Sequence, residues 1–133
     1  MTQPKAVLFI CKHNAGRSQL GAHLLTHVGI EQLVATSAGI SPAGAINPAI
    51  AESLHELGID TFAARPLAVT VEDLQTADVI VLMKSGLPLP GPVAGELVEW
   101  SFPDPSNWET EGVRELRDAV AEKVRELATR LIA

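Results

Sequence analysis

The chain has 133 residues, 47% hydrophobic and 20% charged, with ten basic against sixteen acidic side chains for a net charge of −6. That length suits one domain over residues 1–133 with a proper core, and the acidic balance opposes nucleic acid and acidic membrane surfaces, so an anionic ligand has to be captured by a local positive site. One cysteine permits no internal disulfide, the start Met1-Thr2-Gln3-Pro4-Lys5 is not that of a signal peptide, and no apolar stretch reaches the ~20 residues that span a bilayer, so the expected location is the cytoplasm with no membrane partner.

The first element is the apolar run Ala6-Val7-Leu8-Phe9-Ile10, which reads as a buried strand. Directly after it stands Cys11-Lys12-His13-Asn14-Ala15-Gly16-Arg17-Ser18, a C-x5-R sequence carrying the chain's lone cysteine. A buried strand that ends in a Gly-containing turn and opens a helix aims successive backbone N–H groups into one concavity, where the helix dipole adds partial positive charge. The residues Lys12, His13, Asn14, Ala15, Gly16, Arg17 and Ser18 are therefore the expected oxyanion-binding set. The same field favours a thiolate, so Cys11 is expected to be ionised near neutral pH and nucleophilic, while Arg17 forks onto two oxygens of the anion.

The plainer reading of Cys11 is a small buried apolar residue at a strand end. A core cysteine requires no Gly16-Arg17-Ser18 behind it and no polar Lys12, His13 and Asn14 beside it, which favours the nucleophile. Ser18 can be a mere first-turn helix residue, but its better use is a hydroxyl donated to the sulfur. Asn14 can hold the loop through bonds to backbone and tolerates a left-handed conformation. His13 reads as an exposed loop residue, since no partner that would make it a base is identifiable.

Downstream, Leu20, Leu24, Leu25 and Val28 recur at helical spacing up to a stop at Gly29. Leu33 to Ser37 reads as a second strand, and Asn47 followed by Pro48 as the start of a helix that carries Ile50, Leu54 and Leu57 and closes at Gly58. Thr70 to Leu74 suggests a short helical piece, Asp78 to Met83 a strand buried on both faces, and Leu97 to Trp100 a fourth strand. In the last helix Val113, Leu116, Val120, Val124, Leu127 and Leu131 form one apolar stripe, and its charges, such as Arg114 with Asp118 and Glu126 with Arg130, suggest weak i,i+4 pairs on a solvated face. Strands alternating with helices predict an α/β fold, a doubly wound four-stranded parallel sheet flanked by helices, with ligands at the carboxyl ends of the strands. Cys11 lies at such an end.

Expulsion of an oxygen leaving group from a bound oxyanion requires a proton donor on the far side, and Asp104 is the candidate. It lies in Trp100-Ser101-Phe102-Pro103-Asp104-Pro105, an extended loop after the last predicted strand, and aromatic neighbours are expected to raise its pKa. Taken alone it is also an ordinary turn aspartate before proline. Trp100, Phe102 and Trp108 read as core or rim packing. His23, His27 and His55 sit on helices without metal-ligand spacing, and no metal is expected.

Together these segments resemble the low-molecular-weight protein tyrosine phosphatase superfamily, which includes an arsenate reductase branch. Cys-Lys-His-Asn-Ala-Gly-Arg-Ser-Gln is similar to its N-terminal anion loop, Ser37-Ala38-Gly39 with Asn47-Pro48 to its second motif, and Asp104-Pro105 to its acid loop. The resemblance implies Cys11, Arg17, Ser18 and Asp104 as the catalytic set. Phosphatases of the superfamily usually carry Pro where this chain has Gln19, and those for tyrosine substrates tend to place Tyr after Asp-Pro, where Ser106 and Asn107 stand here. Gln19 resembles the arsenate reductase version, with arsenate or phosphate as the oxyanion.

Thioredoxin-coupled reductases of that branch use two further cysteines in the segment that reads here Met83-Lys84-Ser85-Gly86-Leu87-Pro88-Leu89-Pro90, which has none. The resemblance then implies an external second thiol. Single-cysteine relatives in actinobacteria transfer arsenate to mycothiol, and a small redoxin reduces the adduct. Mycothiol, bacillithiol or glutathione is the implied co-substrate, with a mycoredoxin, glutaredoxin or thioredoxin-like partner and no tightly bound cofactor. Two other classes stay open: a phosphomonoesterase working through a cysteinyl phosphate, and an oxyanion-binding module without turnover.

Overall fold

The computed structural model describes residues 3–133; Met1 and Thr2, the first residues of the stretch tested above as a signal peptide, lie outside them. Strand β1 (Lys5–Cys11) is buried from Val7 to Cys11, as suits a central strand covered on both faces. Strands β2 (Leu33–Gly39) and β3 (Val79–Leu82) flank it, and β4 (Glu96–Glu99) pairs with β3, giving a fully parallel sheet in the order β2-β1-β3-β4. The chain leaves β1 toward β2 on one side and returns to β3 on the other. Such a reversal opens a crevice at the carboxyl end of the first strand, where Cys11 stands in register with Gly39.

Helices cover both faces. Alternation along β1 sends Val7, Phe9 and Cys11 into one cluster with α1 (Arg17–Val28), α2 (Pro48–His55) and α4 (Thr110–Ile132), while Leu8 and Ile10 meet Leu74 and Ala77 around α3 (Val71–Thr76). The close approach of α1 to β1 requires glycine at position 21, because a Cβ there would lie 2.4 Å from the Phe9 ring. Phe9, Trp100 and Phe102 continue the packing toward the site, with centroids about 6 Å apart along the row.

Element ends differ from the sequence reading in small ways with local causes. Helix α2 starts as expected, Asn47 Oδ1 accepting from Ala49 N at 2.9 Å, but ends at His55, because the chain tightens before Gly58 turns left-handed at φ 80°. Thr70 is the cap of α3 and not part of it, with a reciprocal bond pair to Asp73. The larger correction concerns α4. Its arginines reach other elements: Arg114 and Arg117 both bond Glu56 after α2, and Arg130 bonds Glu96 on β4. These are tertiary ties, where i,i+4 pairs were expected. Among the described residues no helix is long and apolar enough to cross a membrane.

Candidate active site

The loop after β1 is held from outside by its carbonyls. The Cys11, Lys12, His13 and Ala15 oxygens accept from the backbone N–H groups of Ile40 (3.1 Å), Ser41 (2.7 Å), Ala43 (2.9 Å) and Asn47 (2.9 Å). In a planar trans peptide the C=O and the following N–H point in opposite directions, so a loop whose carbonyls face outward turns its N–H groups inward. Gly39 permits this fit, since a Cβ there would come within 2.9 Å of Asn14.

Asn14 is the keystone beneath the loop, fully buried and left-handed at φ 51°. Leu67 N donates to its Oδ1 at 2.9 Å, and because an N–H can only donate, the side-chain amide is oriented with Nδ2 toward Ser18 Oγ, 2.7 Å away. Ser18 Oγ lies 2.9 Å from Cys11 Sγ. Cys11 is 2% exposed and Arg17 4%; Arg17 Nη1 donates to the Phe102 carbonyl at 3.0 Å, which ties the guanidinium to the segment leading to Asp104.

Above the sulfur is a small hollow of about 30 Å³ bordered by Cys11, His13, Ala15, Gly16, Arg17, Asn47, Asp104, Pro105 and Ser106. The structure thus brings Asp104 to Cys11 and Arg17 across more than eighty residues of chain. Lys12 is exposed and does not line the hollow, and Asn14 and Ser18 lie beneath it. Trp108 is 37% exposed and also away from it. Sequence reading took Asn47 as a helix cap and, by resemblance, as part of a second motif, and noted Ser106 only where a tyrosine was missing, although Ser two residues after Asp is a turn pattern that offers such bonds.

Asp104 departs from expectation. Ser106 Oγ and Ser106 N both donate to its Oδ1, at 2.6 and 3.0 Å. The Ser106 hydroxyl is the main influence, and with the Ser106 N–H and the charges of Arg17 and His13 it outweighs partial burial and holds the carboxyl below its ordinary value. The aromatic residues that were expected to raise it pack against the core instead.

Fold and loop together set a cysteine, an arginine and a carboxylate around one small hollow at the carboxyl end of a parallel sheet. Residues 6–87 match the low molecular weight phosphotyrosine protein phosphatase family, and the chain belongs to that family. A Synechocystis protein named glutaredoxin arsenate reductase is 28% identical, the alignment covering 96% of this chain and 98% of that one. Among solved structures, the thioredoxin-dependent arsenate reductase of Corynebacterium glutamicum superposes with a TM-score of 0.83 at 29% identity; the match covers 97% of this chain and 62% of that longer one. An arsenate reductase in the phosphate-binding state gives 0.81 at 26% identity, covering 95% and 98% of the two chains. An arginine phosphatase from Geobacillus stearothermophilus, 22% identical with a TM-score of 0.80 and coverage of 96% and 93%, shares the fold.

Proposed function

We propose that this chain is an arsenate reductase that works by handing arsenate to an external thiol. The observation that carries the reading is the single cysteine, hydrogen-bonded to Ser18 inside an oxyanion loop. Reducing As(V) to As(III) takes two electrons, supplied when two thiols become a disulfide, and the chain has one thiol to give. The arsenate reductase names of its relatives, one linked to glutaredoxin and one to thioredoxin, support the same reading.

Cys11 is the nucleophile. Its thiolate attacks arsenic, an arsenate oxygen departs as water after taking up two protons, and a Cys11–S–As(V) bond forms with no change of oxidation state. The loop N–H groups and Arg17 hold the remaining oxygens, and Ser18 steadies the thiolate as it leaves again. A low-molecular-weight thiol of the mycothiol, bacillithiol or glutathione class then attacks arsenic, freeing Cys11 and carrying As(V) away on its own sulfur. A redoxin thiolate attacks that sulfur, the S–As electron pair leaves with arsenic as arsenite, and a disulfide between the thiol and the redoxin remains. The whole sits in one domain in the cytoplasm, where thiols are kept reduced.

Asp104 beside Cys11 favours a second reading, hydrolysis of a phosphomonoester through a cysteinyl phosphate. Ser106 holds that carboxyl below its ordinary value, which does not help it protonate an alkoxide, and the arsenate reductase names of the relatives rank that reading second. The test compares arsenite formation with each thiol and redoxin couple against hydrolysis of an aryl phosphate. Arsenite release dependent on one couple supports the proposal; no arsenite with any couple, together with efficient aryl phosphate hydrolysis, reverses the order.

A further inference from the structure

We propose that Gln19 is a positioning residue for the anion loop: by donating from Nε2 to the Asn14 carbonyl it turns the Asn14–Ala15 peptide so that the Ala15 N–H faces the oxyanion and the Cys11 sulfur. The inference rests on reading the loop as the oxyanion site, and adds a residue that does not touch the anion.

Five consecutive loop carbonyls, Cys11 to Ala15, have hydrogen-bond partners. Four of them are held by backbone N–H groups of the Ile40–Asn47 segment. Asn14 is the exception, because its left-handed backbone swings its carbonyl away from that segment. Its oxygen accepts instead from Gln19 Nε2 at 3.0 Å. The assignment of the amide is forced, since a carbonyl only accepts and the atom facing it has to be nitrogen. Gln19 is 2% exposed and fixed on the first turn of α1, so this bond is shielded from water.

The consequence follows from peptide geometry. With the Asn14 carbonyl pulled toward α1, the Ala15 N–H of the same rigid peptide points the other way, and Ala15 borders the hollow above Cys11. A bond accepted by the carbonyl also polarises that N–H and strengthens it as a donor. Without Gln19 this peptide is the one in the loop free to rotate, and a rotation would aim a carbonyl at the anion in place of an N–H.

The test uses inorganic phosphate as the probe, its dissociation constant measured by calorimetry on the full chain. Gln19→Leu keeps size and helix propensity, and the side chain borders a roomier hollow of about 260 Å³ that accommodates the branch. Its expected effect is a phosphate Kd raised about tenfold, the scale of one hydrogen bond to a charged group, with cooperative melting retained. Gln19→Glu supplies a second, self-controlled readout: its carboxylate faces the Asn14 oxygen and repels it, but the protonated acid donates to it. The binding deficit relative to wild type should shrink as pH falls from about 7.5 to 5.5, the range in which a buried Glu takes up its proton. A merely structural role would not produce that recovery. A Kd within twofold of wild type in a folded Gln19→Leu protein, or a Gln19→Glu deficit that ignores pH, overturns the proposal. If Gln19→Leu does not fold, the Gln19→Glu profile decides. Wild type that binds no phosphate would instead remove the loop reading itself.

Discussion

The Ser18 hydroxyl lies 2.9 Å from the Cys11 sulfur and accepts from Asn14 Nδ2 at 2.7 Å on its other side. Asn14 can only donate there, so the hydroxyl proton of Ser18 is the one available to a thiolate. Ser18→Ala should therefore slow alkylation of Cys11 by iodoacetamide at neutral pH by about tenfold, the scale of a hydrogen bond to a charged atom. An unchanged alkylation rate would mean that Ser18 serves only the helix start.

Arg17 is buried, with one guanidinium nitrogen committed to the Phe102 carbonyl. A lysine keeps the charge but lacks the planar fork that can hold that carbonyl with one nitrogen and meet two oxygens of an oxyanion with the others. Arg17→Lys is expected to lower kcat/KM for arsenate by more than about 100-fold, several kcal/mol being at stake in a bidentate charged contact. A loss of only a few-fold would remove Arg17 from the anion clamp.

The loop and the sheet around it were legible in the sequence because their causes are local: an apolar run, a glycine turn, and a helix start within fourteen residues. The apolar stripe of α4 was legible for the same reason. What escaped depends on contacts between distant segments. Leu67 orients Asn14 from 53 residues away, and Glu56 meets Arg117 across 61. Asp104 was placed correctly beside Cys11, yet its protonation was misjudged, since aromatic neighbours in sequence say nothing of which way a serine hydroxyl turns. Gln19 was legible as a departure from the phosphatase pattern, but not as a partner of Asn14.

Glu56 joins α2 to α4 and is held below its ordinary value, first by the Arg114 hydrogen bond and then, against some burial, by Arg117. A depressed carboxylate adds stability that is present above its unfolded value near 4.5 and disappears as pH falls through the lower folded value. Glu56→Gln should lower Tm at pH 7, in part because Arg117 is left buried with a weaker partner, and the difference from wild type should close below about pH 4. Thermal melts of the two proteins across that range check the sign; a gap that widens in acid would contradict it.

Ser106 supplies both donors to Asp104 Oδ1. Ser106→Ala removes the stronger one, so the carboxyl should rise toward its ordinary value. In any aryl phosphate hydrolysis the wild-type rate should increase as pH falls through the acid range where Asp104 gains its proton, and the variant should show the same limb displaced to higher pH. A limb that does not move would show that another group sets it.

Asp104 also separates the two chemistries. An aryl or alkyl phosphate leaves an oxyanion that needs a proton, so Asp104→Asn should cost roughly 10²–10⁴-fold in hydrolysis, least for substrates whose leaving groups are already acidic. Arsenate loses water, and its oxygens exchange readily with solvent, so thiol-dependent arsenite formation should fall much less in the same variant. The loss on arsenate that remains would come from the charge of Asp104 near Arg17 and His13, which shapes the mouth of the hollow. Alternative acids are few: Asp78 accepts from Ala6 N at the amino end of the sheet, opposite Cys11, and Asp60 is engaged with Phe62 N in its own turn. Equal large losses on both substrates would therefore mean that Asp104 acts in a step the two reactions share, and would count against the distinction drawn between them.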